Sequence, residues 1–277
     1  NGRNYENEEL YRVFQSENMD FEDRFFVGIC AGICPDEAAR LSVQSFGHFN
    51  LTRFSVFNKL NGAFGMRKLG FVVRKDEDCI HLIGVFPNKD RGVYLDKYVN
   101  PMRREVEEEC SVKICMGVGG ISEEPSGILQ SYKEARFAFG LYPFEEKPII
   151  DFADVHRDYM VSFEDFNESV EQAFRAIISK DAKVMEKIDK VMENVESIHY
   201  GNWKAVIMRT MNFTGDLGMK LNQYRLLDVD FYMMQDDLQR QVESQHTMSD
   251  LRRCIHTHYA DLIERSYAKG RSQDKVL

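Results

Sequence analysis

The sequence predicts an α+β protein, with a ferredoxin-like sandwich on an antiparallel sheet in the first half and an all-α helical domain in the second. From Phe25 to Phe152, β-rich apolar runs alternate with stretches of helical spacing in the order β-α-β-β-α-β, which matches a split βαβ unit with helices on one face. From Phe163 to Lys269 nearly every apolar residue keeps helical spacing. At 277 residues, 43% hydrophobic and 12% aromatic, the chain can bury a sizeable core. The change of period near Asp154 to Ser162 sets the expected domains at 1–155 and 160–277.

Taken in order, Glu8 to Glu17 reads as a short leading helix, and Arg24 to Ile33 as a buried strand of apolar and small residues. Pro35 suits the first turn of a helix, where its missing N–H would be unpaired anyway. That helix extends from Asp36 to about Lys59, with apolar residues at Ala39, Val43, Phe46, Phe49 and Phe54. Strands follow at Met66 to Val73 and Cys79 to Phe86, joined by Lys75-Asp76-Glu77-Asp78. A polar link between two apolar runs signals a hairpin, and without Gly or Asn it is not a two-residue type I′ turn. Gly92 to Glu109 is a helix with Val93, Tyr94, Tyr98, Met102 and Val106 along one side. A glycine-ended strand, Val112 to Gly119, a helix carrying Ser131-Tyr-Lys-Glu-Ala135 and a short edge strand, Pro148 to Phe152, complete the first half.

In the second half Ser162 caps a helix that starts at Phe163, and Asp165 stands where a capping box prefers Glu or Gln. Phe166, Val170, Phe174, Ile177 and Ile178 form its apolar stripe. Further helices are expected at Ala182 to Val195, Asn202 to Leu221, Phe231 to Gln241 and Met248 to Lys269.

Composition narrows the function classes. The net charge of -9 opposes a phosphate backbone, so DNA would have to be gripped by another segment. No apolar run approaches the roughly 20 residues of a membrane span, and the first residues are too polar for a signal peptide. A soluble segment with no membrane contact is expected. The six cysteines are scattered, four of them in or beside apolar runs, which favours buried free thiols and a cytoplasmic location over a disulfide framework.

Several constellations invite a chemical reading, each against a plainer one. Cys254 and His258, four apart on a helix with His256 nearby, supply two transition-metal ligands, which is too few for a site. Cys30 and Cys34 lack a companion Cys pair for zinc. Gly117, Gly119 and Gly120 lack the fixed third glycine and immediate helix start of a dinucleotide loop, so they read as a close approach of backbone to a helix packed on the sheet. Trp203, Phe213 and Tyr224 read as packing of the helical domain, and the run Glu105 to Glu109 as a solvated face.

The strand Met116-Gly-Val-Gly119, the helix segment Ser131-Tyr-Lys-Glu-Ala135 and the edge Ile149-Ile-Asp-Phe152 resemble the C-terminal half of a nucleotide-cyclase-like (GGDEF) domain. The hairpin that would carry the catalytic signature reads Arg74-Lys-Asp-Glu-Asp-Cys-Ile80, and the strand Phe25 to Ile33 has no metal-binding carboxylate. The resemblance is therefore to a degenerate domain with no catalytic residues, no metal and no cofactor. Asp76, Glu77 and Asp78 read as solvated charges at a hairpin tip. Together with the helical half, the chain resembles the cytoplasmic central region of bacterial AraC-type transcription regulators.

That resemblance implies a non-catalytic signal relay between an N-terminal sensor, which in some members is membrane-anchored, and a C-terminal pair of helix-turn-helix motifs. It implies a homodimer whose packing the sensor biases, and DNA contact only through a domain outside this chain. A small-molecule effector is the alternative partner, and an enzyme of unrecognised type is the remaining alternative. The vestigial hairpin residues Arg74, Lys75, Asp76 and Glu77 are then the candidate ligand-binding positions.

Overall fold

Phe25–Ile33 (β1) is the strand around which the first half is built, with Phe26, Val27, Ile29, Cys30 and Ala31 all at or below 1% exposure. The computed structural model describes residues 23–75, 79–155, 161–224 and 231–273. The anticipated leading helix at Glu8 to Glu17 and the hairpin tip Asp76 to Asp78 lie outside the described residues. The chain divides into two units, Asn1–His156 and Arg157–Leu277.

In the first unit β1 is followed by helices α1 (Pro35–Gln44) and α2 (Phe46–Met66), strands β2 (Gly70–Lys75) and β3 (Ile80–Phe86), and a composite helix α3. This α3 runs through Arg91–Tyr94, a π turn at Leu95–Val99, and Asn100–Cys110. Next come β4 (Ile114–Ser122), α4 (Ile128–Gly140), the short α5 (Tyr142–Glu145) and β5 (Ile149–Asp151). The five strands lie in the order β2-β3-β1-β4-β5.

The sheet is mixed, which corrects the antiparallel expectation. β1 pairs antiparallel with β3 and β4, as β2 does with β3, but β5 pairs parallel to β4. The cause is the connection: β4 reaches β5 through α4, a helical crossover that returns the chain in the same direction. Helices also cover both faces, not one. Val27, Ile29 and Ala31 of β1 pack with Leu60 and Phe64 of α2 and with Met102 and Val106 of α3. The residues between them, Gly28 and Cys30, face α4.

Two further boundaries depart from the periodicity. The expected single helix after Pro35 is broken at Ser45, whose backbone is extended at φ -172° and ψ 132°. The break resets the helical phase, so Val43 and Phe54 are 90% and 54% exposed while Val56, Leu60, Ala63 and Phe64 form the core. In α3 the π turn directly precedes Pro101, whose lack of an N–H interrupts the regular hydrogen-bond ladder. The acidic run at its end is not simply solvated: Glu105 pairs with Arg67, Glu107 with Arg103 and Glu109 with Lys59.

The second unit contains α6 (Phe163–Ile178), α7 (Val184–His199), α8 (Trp203–Gln223), α9 (Phe231–Glu243) and α10 (Met248–Gln273). Ser162 and Asp165 complete a reciprocal capping box at the start of α6, so Asp fills the role usually given to Glu. α7 packs against α6, α8 and α10. Its Val184, Ile188, Val191 and Val195 recur at three- and four-residue spacing and are all buried. Phe213 is buried, but Tyr224 is 62% exposed, with its ring set edge-on to that of Phe174. Among the described residues no helix is long and apolar enough to cross a membrane.

Candidate functional site

The candidate hairpin positions lie at the edge of the described residues. Arg74 and Lys75 end β2, paired with His81 and Ile80 of β3, and a register shift falls between Val72 and Arg74. Asp76 and Glu77 lie outside the described residues.

What the sheet does build is a glycine-lined face that α4 fills with its own backbone. A Cβ on Gly119 would lie 1.8 Å from the Ser131 carbonyl oxygen, and one on Gly117 would lie 2.2 Å from the Ala135 carbonyl oxygen. A Cβ on Gly28 would meet the Tyr132 backbone nitrogen at 2.6 Å. The glycines are thus the close approach that their sequence context suggested.

The same face contains an irregularity that α4 repairs. Between the pairs Val27 with Ile121 and Ile29 with Val118, β1 has one residue, Gly28, and β4 has two, Gly119 and Gly120. Such a bulge disturbs the ladder and leaves amides to be satisfied elsewhere. The Gly28 N–H donates to Ser131 Oγ at 2.7 Å, and the Gly120 N–H donates to Glu134 Oε2 at 2.8 Å. Gln130 donates to the other Glu134 oxygen at 2.9 Å and holds that carboxylate in place. Ala135 is fully buried against Gly117, so three of the five residues in Ser131-Tyr-Lys-Glu-Ala135 dock the helix on the sheet.

The remaining small cluster on this face contains reactive groups. The antiparallel register sets Cys30 of β1 opposite His81 of β3, and Cys79, two residues before His81, shares its side of the strand. Cys30, Cys79 and His81 are 0%, 5% and 3% exposed. His81 Nδ1 is 3.7 Å from Cys30 Sγ and 3.9 Å from Cys79 Sγ, and Nε2 is 3.5 Å from Cys79 Sγ. Tyr132 of α4 leans on the imidazole with ring centroids 4.9 Å apart, and its hydroxyl contacts Nδ1. The hydrogen bond with Cys79, reinforced by burial, holds the Cys30 thiol far above its ordinary pKa, so it is protonated at neutral pH.

Cys30 and Cys34, close in the sequence, belong to different clusters. Cys34 instead meets Cys115, and Tyr142 donates to Asp36 beside them at 3.3 Å. A hydrogen bond from Cys115, opposed by burial, lowers the Cys34 pKa, while the same bond and burial raise that of Cys115. All six cysteines are thiols and not disulfides: Cys30, Cys34, Cys79 and Cys115 are buried, Cys110 and Cys254 partly so. Among the described residues the converging His, Cys, Asp or Glu group is Cys30, Cys79 and His81, not Cys254, His256 and His258. Cys254 Sγ is instead 3.8 Å from Gln241 Oε1, and His256 is exposed.

A cavity of about 280 Å³ lies at the end of β1, walled by Ile33, Phe49, Val56, Ile80, Arg53 and Cys79 among others. Among the described residues Arg53 Nη2 is buried there without a hydrogen-bond partner. In the helical unit a more open groove of about 460 Å³ passes Phe166, Arg209 and the Lys220–Glu171 ion pair. The Arg209 guanidinium lies over the Phe163 and Phe166 rings at 5.2 and 5.3 Å. Together with burial, the stronger influence, it keeps the His199 pKa below the ordinary histidine value.

No family model matches this chain, and neither a curated protein nor a solved structure matches it.

Proposed function

We propose that this chain is the regulatory, signal-relay region of an AraC-type transcription regulator, non-catalytic and dimeric. It links an N-terminal sensor to a helix-turn-helix DNA-binding domain outside these residues. The observation that carries the reading is the glycine face. A nucleotide cyclase needs metal-binding carboxylates and an open glycine turn that phosphates can approach. Here β1 reads Phe-Phe-Val-Gly-Ile-Cys-Ala-Gly-Ile, without a carboxylate, and Gly28, Gly117 and Gly119 are covered by α4. A scaffold of that kind is suited to packing and not to phosphoryl transfer.

The expected result with GTP and magnesium or manganese is no cyclic dinucleotide at enzyme concentrations where an active cyclase turns over. Detected turnover would overturn the reading.

A second reading adds an effector, and the buried Arg53 nitrogen in an otherwise largely apolar cavity favours it. An amphiphile of small size bearing a carboxylate suits such a wall, because an unsatisfied buried donor has a free-energy cost that the ligand removes. Its signature is thermal stabilisation by such a compound that Arg53→Ala abolishes. Stabilisation that survives the substitution places the ligand elsewhere.

A further inference from the structure

We infer that Cys30, Cys79 and His81 form a binding site for one zinc ion, with the Tyr132 hydroxyl beside them as the fourth donor. The inference rests on geometry and is independent of the regulatory reading. In a tetrahedral zinc site, bonds of about 2.3 Å to sulfur and about 2.0 Å to nitrogen set a cysteine sulfur and a histidine nitrogen about 3.5 Å apart. The His81 nitrogen that meets both sulfurs, Nδ1, is 3.7 Å from Cys30 Sγ and 3.9 Å from Cys79 Sγ, and the ligand atoms of all three residues lie within 4.8 Å of one another. An ion therefore needs only small side-chain rotations to be enclosed.

Chemistry selects the metal. Two thiolates and an imidazole are soft and borderline donors, which suit zinc or copper(I) and not magnesium or calcium. The surroundings are largely apolar, with Ala135 fully buried and Tyr132 and Phe139 packed around the sulfurs, and the Arg136 charge also acts on Cys30. Zinc(II) with two thiolates and a neutral imidazole has no net charge, whereas copper(I) in the same shell leaves one negative charge in a buried site, which is costly. The reaction is Zn2+ plus two thiols giving a zinc dithiolate and two protons, with the Tyr132 hydroxyl coordinating as the neutral phenol and no redox change.

The cluster has a route to it and a structural consequence. Cys79 is part of the wall of the cavity of about 280 Å³ beside β1, which gives an ion an approach. The ligands come from β1, from the residue before β3 and from β3 itself, and Tyr132 comes from α4. Bound zinc would staple the sheet centre to the helix across it.

The test uses the full chain, reduced with a phosphine, stripped with a chelator and titrated with zinc alone. The expected results are one ion per chain, about two protons released per ion, and a rise in melting temperature. Cobalt(II) in its place gives the visible bands of a tetrahedral thiolate site. Cys79→Ala and His81→Gln each weaken zinc affinity by roughly 100-fold or more, whereas Cys34→Ala and Cys254→Ala leave it unchanged. Affinity also falls as pH falls, because protons compete for both thiolates. Should a variant fail to fold, the proton count and cobalt spectrum of the unaltered protein decide. Absence of a stoichiometric ion, fewer protons than ions, or binding lost through Cys254→Ala would each overturn the assignment.

Discussion

Gly119→Ala is expected to destabilise the first unit by about 3 kcal/mol or more, read as a shift in the urea midpoint, because a new methyl group has no room. Its Cβ would lie 1.8 Å from the Ser131 carbonyl oxygen and 2.6 Å from the Ser131 carbonyl carbon, both backbone atoms. Neither can yield by a side-chain rotation, so α4 must lift from the sheet or β4 must bend. Lifting α4 would also break the hydrogen bonds that Ser131 and Glu134 make to the bulge. The control is Gly65→Ala. That glycine lies in α2, and nothing is within 4 Å of its added Cβ. It should gain up to about 1 kcal/mol from helix propensity. Equal effects at the two positions would refute the packing argument.

Ser131→Ala is expected to cost about 2 kcal/mol, although it removes a single oxygen from a residue 2% exposed. The Gly28 N–H that now donates to Ser131 Oγ is buried, and Ala offers no acceptor. An unmade buried hydrogen bond costs more than a made one contributes, which separates this site from a serine on the surface. Ser131→Thr retains the oxygen and should recover part of the loss. Amide exchange gives the same test locally: Gly28 should lose protection in Ser131→Ala before the rest of β1 does. Unchanged protection at Gly28 would remove Ser131 from this role.

Much of this architecture was legible in the sequence, and the failures have physical causes. The helices of the second unit follow apolar spacing from Phe166 through Ile177, and Ser162 announces the first of them with a capping box. In the first unit the strand and helix order was readable because β1, β3 and β4 are continuous apolar runs. The parallel β5 departs from the antiparallel expectation because the helix between it and β4, itself legible in the sequence, returns the chain in the same direction. The break at Ser45 is hidden in the sequence because the apolar residues on either side mimic one long helix.

The site was less legible than the fold. Ser131-Tyr-Lys-Glu-Ala135 drew attention as a pattern, but its meaning depends on a bulge in another strand, which periodicity does not report. The Cys30, Cys79 and His81 cluster has no local spacing signature, because Cys30 stands about 50 residues before its partners and only strand register joins them. The alternation of Cys79 and His81 on one strand face was the available clue. It becomes informative once β3 is known to lie beside β1.

The central claim is that these residues relay a signal and do not themselves read DNA. The most direct measurement compares this chain with the protein read through from the same reading frame past Leu277, using mobility shift on DNA upstream of its own gene at physiological salt. The account predicts no sequence-specific complex with the chain alone, and nanomolar specific binding with the longer protein through two helix-turn-helix motifs. Nanomolar specific binding by the chain alone, or a continuation without such motifs, would contradict it.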